Sequence, residues 1–227
     1  MQTEDFLAHE QSRMEAYRLL ADSFHLPNEN LKEKMVLLSN TLSMVCGEAA
    51  AYVHQMIKNL ERSEDLECLK VDYARLFVGP YTLSAPPYGS VYLEGERLVM
   101  GDSTLDAQKR YRNAGLDIAK DFKEAPDHIA VELEFMHFLI FKEIEAATHS
   151  NIEAFANCLK KQQSFLEDHL GDWQSEFTDT VIANSDTEFY KALAKSTKIF
   201  IGQDLQLVKK YCESGILNEN RQFLDGA

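Results

Sequence analysis

The residues best suited to chemistry lie in one short run, Glu124-Ala-Pro-Asp-His128, where two acids and an imidazole flank a proline. Pro126 can open a helix, since its missing N–H would be unpaired in a first turn anyway, and Asp127 then sits where helix dipole and orphan donors favour an anion. His128 is one turn before Glu132, so its ring is expected to be held by that carboxylate at i+4. A capped helix start is the commoner meaning of such a run; a binding site at the mouth of a connection is the sharper one. A second fragment, Glu134-Phe-Met-His137, has the E-x-x-H spacing of helical di-iron proteins. Its required twin is absent, and His25 and His169, beside Asp22 and Asp168, do not supply the spacing. No phosphate loop, dinucleotide fingerprint, nucleophile elbow or H-E-x-x-H is present.

The other chemically dense stretch runs from Gly79 to Gly101, reading GPYTLSAPPYGSVYLEGERLVMG. A loop of that length inside a compact domain is usually functional. Tyr88 and Tyr92 either pin the loop to the body, ring buried and hydroxyl wet, or floor a groove for a peptide, where aromatic anchors carry much of the energy. Glu94, Glu96 and Asp102 would suit a cationic guest.

Helices must position these segments. Apolar residues recur at helical spacing in Met14, Tyr17, Leu20 and Phe24, in Leu31, Met35, Leu38, Leu42 and Val45, and again in Val53, Met56, Ile57 and Leu60. Leu66, Leu69, Tyr73, Leu76 and Phe77 make a fourth stripe. After Pro126, apolar residues from Ile129 to Ile144 cover most of a helix circumference, Val131, Phe138 and Phe141 included, which predicts a helix buried on most sides. Ile152 to Leu170 and Phe189 to Tyr211 complete the pattern. All five prolines fall at or before 126, and period-two alternation is confined to 88–100. The class is all-α, a two-lobed bundle: an N-terminal lobe 1–114 that carries the 79–101 loop, a hinge 115–126, and a C-terminal lobe 127–227. The long connection before Pro126 would permit exchange of lobes between protomers, giving a domain-swapped homodimer.

Composition narrows the functional classes. With 23 Lys+Arg against 37 Asp+Glu the formal charge is −14, which opposes approach to nucleic acid or an anionic leaflet. The four cysteines are far apart in sequence, against a zinc ribbon, iron–sulfur site or thioredoxin motif. Glu4, Asp5 and Glu10 stand where a secretory signal would need positive charge, and Phe135 to Phe141 is too short to cross a bilayer. The expectation is a cytoplasmic chain without a cofactor.

Four ordered motifs carry a resemblance: Tyr73-Ala-Arg-Leu-Phe-Val-Gly-Pro80, Ala85-Pro-Pro-Tyr-Gly-Ser-Val-Tyr-Leu93, Met100-Gly-Asp-Ser-Thr104, and the run from Glu124 to Met136. Together they resemble the TorD/DmsD family of redox-enzyme maturation chaperones. The resemblance implies an all-helical, non-catalytic, cytoplasmic protein. It would bind the twin-arginine leader, and often the apo catalytic subunit, of a molybdopterin-dependent oxidoreductase and assist cofactor insertion before export. By position, Tyr88, Ser90 and Tyr92 match the family's loop motif, and Glu124, Pro126, Asp127 and His128 its leader-binding signature. Asp102 lies in the third motif. Two departures bear on client choice: some relatives have Trp at the position of Tyr88, and some have proline where this chain has Ala125.

Physical chemistry fits that implication. A leader's two guanidiniums are permanent planar donors followed by an apolar segment. Exposed ion pairs contribute roughly 0–1 kcal/mol each, so burial of the apolar part, at roughly 25 cal/mol per Å², must supply most of the attraction. Carboxylates then set register and specificity. Two other functions remain: a helical metal-binding enzyme built on Glu134 and His137, and an adaptor that binds helices without leader specificity. The chaperone mechanism requires Tyr88 and Asp127 to meet in space.

Overall fold

The computed structural model describes residues 3–62, 65–79, 82–94, 99–116 and 124–213. Tyr81, Gly95, Glu96 and most of the expected hinge lie outside these. Ten α-helices are found among the described residues: α1 (Thr3–Ser23), α2 (Leu31–Val45), α3 (Gly47–Arg62), α4 (Leu66–Tyr73), α5 (Gly89–Leu93), α6 (Asp102–Asn113), α7 (Ile129–Thr148), α8 (Ile152–Asp168), α9 (Leu170–Asn184) and α10 (Glu188–Glu213). A π-helical turn, Ala74–Val78, extends α4. The all-α class is as expected; the only pairing of extended residues described is one antiparallel bridge, Tyr88 to His128.

Side-chain caps fix several starts. Asp65 accepts from the Cys68 N–H at 2.8 Å to open α4, and Asn151 accepts from Ala154 at 3.0 Å to open α8. The apolar run expected to continue to Leu170 breaks instead at His169, whose backbone (φ −132°, ψ −105°) is not helical. Two helices result. The second, α9, buries Trp173, Phe177 and Val181. α7 buries Ile129, Leu133, Phe135, Met136 and Ile140, whereas Phe141, expected inside, is 49 % exposed.

Helices from both ends of the chain share one core. α1 lies along α7, and α3 along α10, with α2 against both α1 and α3 and the short α5 on α9. At its centre the fully buried Arg13 of α1 donates to Asp204 of α10 at 2.5 Å, to Glu143 of α7 at 3.3 Å, and to Glu10 and the Gln162 side chain of α8. Tyr17 donates to the second Asp204 oxygen at 2.6 Å. Burial, together with the neighbouring Glu10, outweighs Arg13 and pushes the Glu143 carboxyl up to about 8, so it stands as a neutral acid at pH 7.

Candidate functional site

The two helix-breaking segments meet backbone to backbone. The Gly89 N–H donates to the Asp127 carbonyl and the Ile129 N–H to the Pro87 carbonyl, both at 2.8 Å. Between them the Tyr88 and His128 rings sit edge to face, centroids 5.4 Å apart. The Asp127 carboxylate accepts from the Ser90 N–H at 2.8 Å, serving the start of α5 rather than that of α7. Tyr111 of α6 holds the same turn from beneath, donating to the Pro126 carbonyl at 2.6 Å.

The far face of α5 rests on α9. The Tyr92 ring stacks on the Trp173 indole, centroids 5.7 Å apart and 16° from parallel, and its hydroxyl donates to the Pro86 carbonyl at 2.9 Å. Gly89 leaves the space that the indole takes, since a Cβ there would lie 2.9 Å from Trp173 Nε1. Tyr92 thus pins the loop, the first of the two roles open to it. Tyr88 stays half-buried.

Burial corrects several sequence expectations. Asp127 is 1 % exposed, His128 5 % and Ser90 0 %, so none of them forms an open anionic rim. Pro126 does not open α7: it lies in the turn before it, and His128 is the N-cap, its Nδ1 accepting from the Ala130 N–H at 3.1 Å. Nor does Glu132 hold the His128 ring. The His128 backbone is extended (φ −69°, ψ 139°), which takes its side chain off the i, i+4 face. Burial first, then nearby His25, push the His128 imidazole down to about 4 despite Asp127, leaving it neutral as its acceptor role requires. Glu94 is likewise occupied, one oxygen accepting from Ser103 N–H at 2.8 Å and Oγ at 2.6 Å over the start of α6.

Glu124, Glu134 and His25 remain around this face, whereas Asp22 is paired with Lys34 at 3.2 Å and with Arg18 at 3.4 Å. Exposed Glu124 adds to burial in raising the Tyr88 phenol, and does the same for Tyr73, which reaches about 12. Exposed Glu134 is raised by partial burial, with His25 and His137 opposing and Asp22 reinforcing. His25 is the common neighbour of His128 and Glu134, and Leu26 beside it is 56 % exposed. Asp102 is exposed at the first position of α6, and no described contact links it to Tyr88 or Asp127. The metal alternative gains nothing: the His137 Nδ1 lies 3.0 Å from the Met14 carbonyl, and no group of three ligating side chains among the described residues could hold an ion. None of the described helices is long and apolar enough to cross a membrane.

Sequence reasoning missed the layer beneath the loop. Fully buried Glu132 accepts from Trp173 Nε1 at 2.9 Å. Its other oxygen lies 3.7 Å from Nδ1 of buried His169, whose Nε2 is 2.9 Å from Asp106. Arg110 closes the series by donating to Asp106 at 2.7 Å and Asp168 at 2.9 Å. The Trp173, Phe177, Val181 spacing was the signal available for α9.

Comparison with known proteins gives consistent names. Residues 39–179 match the family model described as nitrate reductase delta subunit. The chain is 33 % identical to the Tat proofreading chaperone DmsD of Salmonella paratyphi A over 156 residues, 69 % of this chain and 68 % of the relative. It is 28 % identical to the chaperone protein TorD of Photobacterium profundum over 198 residues, covering 83 % and 90 %. A crystal structure assigned as a candidate redox enzyme maturation protein from Archaeoglobus fulgidus shares the fold, with a TM-score of 0.53, 24 % identity, and coverage of 86 % of this chain and 93 % of that one.

Proposed function

Because the chain belongs to the TorD/DmsD family of redox-enzyme maturation chaperones, and so is a chaperone and not an enzyme, we propose that it binds the twin-arginine leader of a molybdopterin-dependent oxidoreductase, and the apo form of that enzyme, in the cytoplasm before export. The observation carrying this reading is the bridge between Tyr88 and His128, which seats a half-buried aromatic ring beside exposed Glu124. Glu124 and Glu134 offer carboxylates to the guanidiniums, while Tyr88 and Leu26 offer apolar surface to the segment that follows. Ser90, Tyr92, Pro126, Asp127 and His128 serve by holding this surface in shape, and Asp102 extends it only if the client reaches α6. Lobes 1–114 and 127–227 exchanging between two protomers through 115–126 belong to the same proposal, with sedimentation as its test.

Titration of the protein with a fluorescent twin-arginine leader peptide, and with the same peptide carrying Lys-Lys or a shortened apolar segment, tests the reading. Saturable binding, weakened by Lys-Lys and weakened further by shortening, is expected. Absence of saturable binding to leader and apo-client defeats it, and equal binding of Arg-Arg and Lys-Lys peptides favours the general adaptor.

A further inference from the structure

The loop helix α5 has only five residues, too few to hold themselves in helical form, because the first turn costs more than it returns. Its geometry is therefore imposed from outside. Asp127 fixes one end. Trp173 fixes the other face, stacked on Tyr92 and filling the space Gly89 leaves. A buried indole N–H needs an acceptor, and the one provided is a carboxylate with no exposure to water, Glu132.

An ion in such a place is costly unless it is compensated. Trp173 satisfies one Glu132 oxygen. The other, and Nδ1 of His169, face each other at 3.7 Å with no hydrogen-bond partner. We infer that Glu132 and His169 are positioning residues for the client-binding loop: the protonated His169 balances the Glu132 carboxylate, which in turn fixes Trp173 as the platform under α5. This inference rests on the loop being the client site.

The groups facing the pair agree with it. His169 meets Glu132 of α7, Asp106 and Arg110 of α6 and Asp168 of α8, with the Phe165 ring stacked on it at 5.3 Å. Glu132 also feels Asp127, and the Tyr111 phenol lies within its field. Burial, and after it Arg110, work against charge on His169, but the facing Glu132 carboxylate and the hydrogen bond to Asp106 outweigh them and hold the imidazole above its ordinary value. Burial pushes the Glu132 carboxyl up in the same way. Below the pH at which His169 deprotonates, the pair is an imidazolium facing a carboxylate. Above it, the carboxylate loses its counter-charge, and the platform loosens.

Trp173 is the chain's single tryptophan, so its indole N–H resonance reports on the pair directly. In the protein labelled with 15N, that resonance is expected to titrate with a midpoint above that of a free histidine. The titration should be absent in His169→Gln and Glu132→Gln, and retained in His128→Gln and His25→Gln. Asp106→Asn, which removes a part-exposed carboxylate and leaves the core intact, should lower the midpoint. Leader affinity should fall about fivefold across the same midpoint, and His169→Gln should show a flat profile. An indole signal that is flat in the wild type, or still titrates in His169→Gln, overturns the inference, as does an identical pH profile of leader binding in wild type and His169→Gln. If the indole titrates through His169 while no leader binds at any pH, the client reading of the loop falls and the lock on Trp173 stands.

Discussion

Replacing Asp127 by alanine removes a carboxylate that is 1 % exposed and accepts from the Ser90 N–H at 2.8 Å. The loss leaves that N–H orphaned in a buried place. A hydrogen bond to a charged group contributes roughly 1.5–3 kcal/mol, and for a chain of this size each kcal/mol moves the midpoint by about 2–4 °C. The expected fall is therefore about 3–12 °C in Tm. Asp127→Asn keeps an acceptor oxygen of the same shape and should cost less than about 1 kcal/mol. Leader affinity should follow stability, falling in the alanine variant and largely surviving in the asparagine variant, because the carboxylate acts by holding α5. Thermal and urea unfolding by circular dichroism, beside titration with the labelled leader, make the comparison. An alanine variant with an unchanged Tm and a tenfold weaker leader would refute the reasoning. That is the result expected of a rim carboxylate, the role that the family resemblance implies for Asp127.

Gly89→Ala places a methyl 2.9 Å from Trp173 Nε1 and 3.2 Å from Cε2; overpacking of this kind costs about 1–3 kcal/mol, and a shifted emission maximum of the single tryptophan should accompany it. Glu143, raised to about 8 by burial, binds a proton in the folded chain that it lacks in the unfolded chain between about pH 4.5 and 8. Stability should therefore fall with rising pH across that window, by at most about 1.4 kcal/mol per unit from this group. Glu143→Gln, which mimics the neutral acid, should flatten that slope in urea midpoints taken at pH 5, 6.5 and 8; a slope that persists unchanged would exclude Glu143 as its source.

Much of the fold is legible because buried stripes repeat at helical spacing, and Met35, Leu38 and Leu42 or Leu133, Met136 and Ile140 are indeed all inside. What local spacing does not show is where a helix begins in three dimensions. His128 and Glu132 have the i, i+4 separation, yet His128 stands one residue outside α7 and Glu132 serves Trp173 instead. Asp127 acts on a backbone N–H 37 residues earlier, a pairing that only tertiary structure creates. α9 is not legible because the apolar pattern runs on across His169 to Leu170, and the nearby glycine, Gly171, falls inside the first turn of the new helix instead of marking the break; Trp173 is hidden with it. The chemical signature of the site is thus visible in the sequence as two segments, while the aromatic platform joining them is not.

Arg13 meets Asp204 across a separation of 191 positions and Glu143 across 130. A guanidinium cannot be enclosed without a counter-charge; of the carboxyl groups around Arg13, Glu10 lies on its own helix and Glu143 is held neutral, so Asp204 of α10 is the carboxylate that must come from elsewhere in the fold. α1 and α10 are therefore mutually dependent, and removing the chain from position 204 onward would leave a buried guanidinium short of that carboxylate and loosen α1 from the bundle.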